Sequence, residues 1–370
     1  MVNNKILGLI FANTNEKNLP ELTAYRTTGS VPFGGKYRLI DFPLSNMSNS
    51  GINNIGVVTK SNFQSLMDHV GSGAAWDLAR RRSALNILPP YSGHSFSNLV
   101  ETLFNLHGYI EHDDEEYVMI SPCDCVYNMD FAKVYRFAEK NDADITFVYV
   151  KKAVASITND YRCLLDIDDD GKVTKIMASP VSGEESNFNF GVILIKSTVL
   201  MGLIRQAVSE SKYNFVRDVL QRAIGHYRLY AYEHKGFFEI IGSVKEYYDA
   251  NMKLMDKEVR DELFDSRRPI YTKVRDDVPS RYGLNSSVKG SLIAQGCVIN
   301  GYVENSIISK GVYIGEGAII KNCIIMQDSV IADGSELFNV VIDKDVSVGR
   351  GSKLQGSPNY PVYIAKKSIV

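Results

Sequence analysis

Over its first two-thirds the chain alternates short apolar runs with stretches whose apolar residues fall three and four apart. "NNIGVVTK", "EYVMISP", "ADITFVYVKK" and "FGVILIKS" are rich in Val and Ile and predict buried strands. "SNFQSLMDHV", "SNLVETLFNLHGYIEH" and "MDFAKVYRFAEKND" carry the period of amphipathic helices. This alternation predicts an α/β domain with a mixed, mostly parallel sheet and helices on both faces. Such sheets hold ligands at the carboxyl ends of their strands, so the loops following Ile10, Ile120 and Val150 are the expected functional ones. A further helical segment, "SVKEYYDANMKLMD", precedes a charged, proline-bearing connector, "RDELFDSRRPIYTKVRDDVPSRYG", that has no clean period.

Beyond the connector the period changes. Aliphatic residues now recur every six positions: Ile293 to Ile299, Ile308 to Ile314 and Ile320, Ile331 to Leu337, Ile342 to Val348. Glycine or a small polar residue often follows one or two places later. This hexapeptide pattern predicts a left-handed parallel β-helix, each coil offering one inward aliphatic residue per face. The step falters around Asn305 and Met326, where loops bulging from a coil are expected. The predicted units are residues 1–245 for the α/β domain, 246–285 for helix and linker, and 286–370 for the β-helix. The first unit is expected to fold without the last.

Composition adds mainly exclusions. The chain has 370 residues, 45% hydrophobic and 23% charged, with a formal net charge of -2, enough for two cores and no signature of nucleic-acid or membrane-surface binding. No run approaches the roughly 20 apolar residues of a membrane span. "MVNNKILGLIFAN" lacks the pattern of a signal peptide, so a cytoplasmic location is expected. The five cysteines are odd in number and scattered, which argues against a disulfide framework, and "CDC" at Cys123–Cys125 has no second pair to complete a metal site. "DIDDDGKV" lacks the spacing of a calcium loop and reads as a β-turn with Asp170-Gly171 at its tip. The basic run "ARRRSALNIL" reads as a solvated helix face or loop in preference to an anion site.

The first strand leads into "NTNEKNL", Asn13 to Leu19, which contains no glycine. A phosphate-holding turn at this place needs glycine, so that backbone N–H groups can close on the anion. The stretch "FGGKYRLIDFPLSNMSNSGINNIGVVT", Phe33 to Thr59, closely resembles glucose-1-phosphate adenylyltransferase, and the two-domain plan extends that resemblance over essentially the whole chain. The resemblance implies a nucleotidyltransferase domain followed by a left-handed β-helix. It also implies a reaction in which glucose 1-phosphate attacks the α-phosphorus of ATP, helped by backbone amides, a lysine and two aspartates that hold magnesium. Such transfer rests on positioning and charge neutralisation.

Measured against that pattern, this sequence has lost most of the chemistry. The family's glycine-rich turn falls on "NTNEKNL", and Glu16 brings negative charge toward the phosphates. The K-P-A lysine falls on Thr28, the G-T-A-D-A motif on Ser97 to Glu101, and the sugar-phosphate E-K-P on Ala178, Ser179 and Pro180. G-D-H becomes "CDC", keeping Asp124, and the second metal-holding aspartate falls on Ile240 in "FEIIGS". Asn189, Gly191, Arg217 and Asp218 are implied as remnants of the sugar-phosphate pocket. Arg26 and Arg38, with Lys36 as a weaker candidate, are implied as cations of an effector site for phosphorylated metabolites between the domains.

The leading reading is a non-catalytic regulatory subunit that combines with a catalytic adenylyltransferase subunit, as a hetero-tetramer or as a homo-oligomer alone. It would need no cofactor, and magnesium only if residual catalysis persists. An active enzyme with a degraded site, using Asp124 and Arg217, is the alternative, and an effector-independent scaffold is another. An acyltransferase built on the β-helix is disfavoured, since all six histidines precede the hexapeptide region and none can serve as its general base.

Overall fold

The computed structural model describes residues 5–79, 84–89, 98–112, 115–154, 157, 159–178, 183–274 and 276–370. The strands of the first domain are, in order, β1 (Ile6–Phe11), β2 (Pro32–Phe33), β3 (Tyr37–Arg38), β4 (Asn54–Val58), β5 (Ala84–Leu88), β6 (Tyr117–Pro122) and β7 (Cys125–Tyr127). They continue with β8 (Ile145–Ala153), β9 (Cys163–Ile167), β10 (Val173–Met177), β11 (Glu185–Lys196), β12 (Leu229–Glu233) and β13 (Phe238–Ile240). Nine of them form one sheet in the order β10-β9-β11-β6-β1-β4-β5, with β8 paired to both β11 and β12. The half around β5-β4-β1-β6 is parallel, whereas β11 runs antiparallel to β6, β8 and β9. The sheet is therefore mixed, as the alternating pattern predicts.

Helices cover the sheet where their periods place apolar residues, and several begin on side-chain caps. Asp130 accepts a hydrogen bond from Ala132 N at the start of Phe131–Lys140, and Asn98 accepts one from Glu101 N at Leu99–Asn105. The "DIDDDGKV" segment is the turn of the β9–β10 hairpin, with Gly171 at φ 81° and its N–H donating to Asp168 O at 3.0 Å. The basic run divides in two. Arg80 to Ser83 lie outside the described residues, and Ala84–Leu88 forms β5 at the sheet edge, a strand its mixed sequence did not reveal. The connector also begins inside a helix, Lys257–Leu263, capped by Asp256 and buried through Leu263.

The second domain is a three-sided stack of two- and three-residue strands, forming three parallel sheets of five strands each. Ile299, Ile308, Ile314, Ile320, Ile331, Leu337, Ile342 and Val348 are buried inside it, so the six-residue step marks the inward positions. Asn305 is no bulging loop. Asn305, Asn322 and Asn339 stand one coil apart, all left-handed at φ 46°, 51° and 53°, and Asn305 Nδ2 donates to Asn322 Oδ1 at 2.6 Å. Asparagine tolerates that conformation and satisfies its neighbour in the next coil, so the irregular step is a turn ladder. Met326 is likewise buried, facing the first domain.

The two domains share a core. Phe33, Tyr247, Tyr248, Leu254 and Ile270 pack with Ile307, Ile324 and Val341 from the outer side of one β-helix sheet. This explains why the F-G-G element persists while other motifs do not. Gly34 and Gly35 adopt φ of 59° and 76°, and a Cβ on Gly35 would stand 3.3 Å from Ile307 and 3.5 Å from Ile308 O. The turn is thus required for domain docking by its backbone conformation and its close approach.

Candidate functional site

The loop after β1 is closed by its own side chains. Asn13 Nδ2 donates to Glu16 Oε1 at 2.6 Å, Asn13 Oδ1 accepts from Lys60 N at 2.8 Å, and Asn18 Nδ2 donates to Asn15 Oδ1 at 2.7 Å. Below it, Thr28 Oγ1 donates to Thr14 O at 2.6 Å, and Gly29 N to Ala12 O at 2.9 Å. Burial raises the Glu16 carboxyl, while Asn13 and Lys60 oppose that shift. The loop is a self-contained turn built from asparagine amides.

Asp124 follows β6 and is 0% exposed. Its Oδ1 accepts from Arg162 Nη2 at 2.7 Å and its Oδ2 from the Tyr161 hydroxyl at 3.1 Å. Arg162, 4% exposed, also reaches Phe190 O through Nε at 3.3 Å and Cys125 Sγ through Nη2 at 3.2 Å. Burial alone would lower the Arg162 pKa, but the Asp124 carboxylate beside it raises it, so the guanidinium stays charged. Burial and Asp124 push the Tyr161 phenol well above its ordinary value, and burial does the same to the Cys125 thiol. β13 runs antiparallel to β7 with Ile240 opposite Cys125, and Ile241 N donates to Asp124 O at 2.8 Å. Position 240, where the resemblance implies the second carboxylate, is therefore an apolar residue paired with Cys125. The end of the same motif survives for another reason: Ser243 caps Val244–Met252, and Glu246 Oε2 accepts from Gly242 N at 2.9 Å.

Asn189 and Gly191 flank Phe190, whose carbonyl accepts from Arg162. Asn189 is fully buried and spends its amide on Val148 O at 2.7 Å, Val192 O at 3.0 Å and Gly191 N at 3.2 Å. Gly191, at φ 98°, leaves room for Tyr161, whose ring would stand 2.8 Å from a Cβ there. Arg217 and Asp218 are placed differently. They sit at the start of the helical turn Phe215–Leu220 and bond to each other at 3.1 Å and to Asn214. Ser97, Ser179 and Pro180 lie outside the described residues.

At the domain junction Arg26 is 3% exposed and pairs with Asp343 of the β-helix, the single nitrogen Nη2 donating to Oδ1 at 2.7 Å and to Oδ2 at 2.9 Å. Arg38 donates through Nη1 to Ser65 O at 2.6 Å and Oγ at 3.0 Å, and its backbone N–H reaches Asp41 Oδ2 at 2.9 Å. Asp41 Oδ1 lies 2.6 Å from His69 Nε2, and burial nonetheless lowers the His69 pKa. Lys344 is lowered to about 7 by burial and by Arg38 and Arg26. Lys36 stands apart from the two arginines. It is exposed and lines a cleft of about 600 Å³ with Tyr37, Arg260, Lys273, Lys310, Asp276 and Asp277, and Asp277 pairs with Lys310 at 3.0 Å.

Comparison with known proteins places this geometry. A nucleotidyl transferase family model matches residues 7–257, and the C-terminal hexapeptide model of GlmU-like proteins matches residues 277–357. The chain is 33% identical over 324 residues to the glycogen biosynthesis protein GlgD of Bacillus subtilis, covering 87% of this chain and 84% of that protein. It is 31% identical over 331 residues to a glucose-1-phosphate adenylyltransferase of Clostridium perfringens, covering 87% and 84% of the two chains. This chain belongs to the glucose-1-phosphate adenylyltransferase family. The adenylyltransferase of Geobacillus stearothermophilus is similarly related, at 31% over 326 residues, covering 86% of this chain and 83% of its own length. Among the described residues no helix is long and apolar enough to cross a membrane.

The adenylyltransferase resemblance implies a magnesium ion between two carboxylates at Asp124 and position 240. The residues present do not fit it: Asp124 is committed to a guanidinium, and Ile240 offers no ligand. Sequence reading found Asp124 and Ile240 but missed Arg162 and Lys344. Arg162 stands at the entry of an apolar strand, "YRCLL", where an unpaired charge is costly, and that was the available signal. Lys344 looks like any corner lysine of a β-helix, and only the fold brings it to the arginines.

Proposed function

We propose that this chain is a non-catalytic, regulatory subunit acting beside a catalytic glucose-1-phosphate adenylyltransferase in glycogen synthesis. The observation that carries the reading is the buried Asp124–Arg162 pair. The carboxylate that would hold a metal is neutralised by the chain's own cation, and the position of the second carboxylate is Ile240, opposite Cys125. The closed Asn13–Leu19 turn offers no glycine amides to a triphosphate. Removing even one preorganised electrostatic group typically costs about a hundredfold or more in rate, and here several are absent together. The likeness to GlgD, named for glycogen biosynthesis, supports the pathway.

A subunit without chemistry acts by favouring one arrangement of a shared assembly, which requires a partner and differential binding. The cations at the domain junction, Arg38 and Lys344, and the Lys36 cleft are where a phosphorylated metabolite would exert that preference. Co-expression with a catalytic subunit from the same cell tests the proposal. The two chains should elute as one species in size-exclusion chromatography, with kinetics that differ from the catalytic chain alone. Separate elution at micromolar concentration with unchanged kinetics would refute it.

A further inference from the structure

The junction between the domains carries more positive charge than its two buried carboxylates, Asp343 and Asp41, can balance. Arg26, Arg38 and Lys366 each act on Lys344 electrostatically, with Asp343 as the opposing charge. A half-buried cluster of that sign is ordinarily met by an anion with several oxygens. Here the oxygens come from within. Asp343, 1% exposed, accepts from Arg26 Nη2 through both carboxylate oxygens at 2.7 and 2.9 Å, from the Lys344 backbone N–H at 2.6 Å, and from the Tyr363 hydroxyl at 2.6 Å. A guanidinium, a backbone amide and a hydroxyl converging on one anion are the donor set that proteins assemble for phosphate. Tyr363 also lies 2.9 Å from Glu21 O, so the same carboxylate joins the first domain to the last coil of the β-helix.

We propose that Asp343 is an internal surrogate for a phosphate-type anion. It fills Arg26, clasps the two domains together without a ligand, and closes that arginine to free phosphorylated molecules. An effector reaching the junction would then have to displace Asp343 or bind through Arg38 and Lys344 alone. The proposal rests on the regulatory reading for its biological sense, but its chemistry belongs to the isolated chain and is tested there.

The test uses the full chain and inorganic phosphate as the probe, with binding followed by isothermal titration calorimetry. Asp343→Asn keeps the shape of the side chain and removes its charge. It should bind phosphate at least about tenfold more tightly than the parent, because the Arg26 charge is left without its carboxylate. Adding Arg26→Gln to that variant should return the affinity to the parental level. An Asp343→Asn affinity within twofold of the parent overturns the proposal, as does a gain that persists without Arg26. If circular dichroism shows Asp343→Asn unfolded, Tyr363→Phe removes one donor from the clasp and should tighten phosphate binding by about threefold; an unchanged affinity then overturns the proposal. Because no catalytic partner is present, failure here leaves the regulatory reading untouched, and failure to assemble with a partner leaves this one untouched.

Discussion

Arg162→Met is the substitution that weighs the vacated centre most directly. It removes the guanidinium from a carboxylate that is 0% exposed and leaves Asp124 with the Tyr161 hydroxyl at 3.1 Å as its remaining side-chain O–H donor. Breaking one side of a buried pair typically costs about 3–5 kcal/mol, since a charge is left in a low-dielectric interior. Asp124→Asn should cost a comparable amount, because Arg162 is then the stranded ion. The double variant should recover much of the loss, giving a coupling of more than about 2 kcal/mol in the cycle. Denaturant unfolding followed by tryptophan fluorescence isolates the right transition, because Trp76 is the chain's sole tryptophan and is buried in the first domain. A loss below about 1 kcal/mol for Arg162→Met, or strict additivity in the double variant, would refute the claim that this pair has replaced a ligand site.

Gly35→Ala should destabilise the domain junction by about 1–3 kcal/mol, since alanine must hold φ near 76° and approach Ile307; differential scanning calorimetry would show it as a lowered transition. Ile320→Ala, in the β-helix interior at 0% exposure, should cost about 2–5 kcal/mol by the same measurement. Deleting residues 291–370 should yield an aggregating or dye-binding first domain, contrary to the expectation that it folds alone, because Phe33, Tyr247 and Leu254 would lose their partners Ile307, Ile324 and Val341. Lys344, held at about 7 against an ordinary value near 10.5, makes the folded chain bind fewer protons than the unfolded chain above pH 7. The parent should therefore gain stability relative to Lys344→Met as pH rises from about 7 to 8.5, by up to about 1.4 kcal/mol per unit. The contribution of the buried cysteines, whose pKa values burial raises, cancels in that difference. Chemical denaturation across that range checks the sign, and a parent that loses stability relative to the variant as pH rises would contradict it.

The fold was legible wherever one period ran unbroken. β4, β6, β8 and β11 are continuous Val- and Ile-rich runs, and the six-residue step named the inward positions from Ile299 to Val348. It was hidden where the period was broken by chemistry of another kind. Asn305 reads as an interruption until its amide is seen to bond the next coil. β5 reads as a loop because its residues alternate between exposed and half-buried at a sheet edge. The candidate site was legible as absences, since missing glycines and a missing carboxylate can be counted along the chain. What replaced them was not. Arg162 lies 38 residues from Asp124 and Asp343 lies 317 from Arg26, so each compensating charge becomes visible only through the tertiary fold. Arg26 illustrates the consequence: a polar residue outside any apolar pattern proved to be among the most buried charges in the chain.

The central claim is that this member of the adenylyltransferase family keeps the shape and has lost the chemistry. Steady-state pyrophosphate release from ATP and glucose 1-phosphate, with magnesium and the purified chain alone, tests it most directly. The account predicts release indistinguishable from a no-protein control. Turnover in the ordinary enzyme range of about 1–1000 per second, saturable in both substrates, would contradict it.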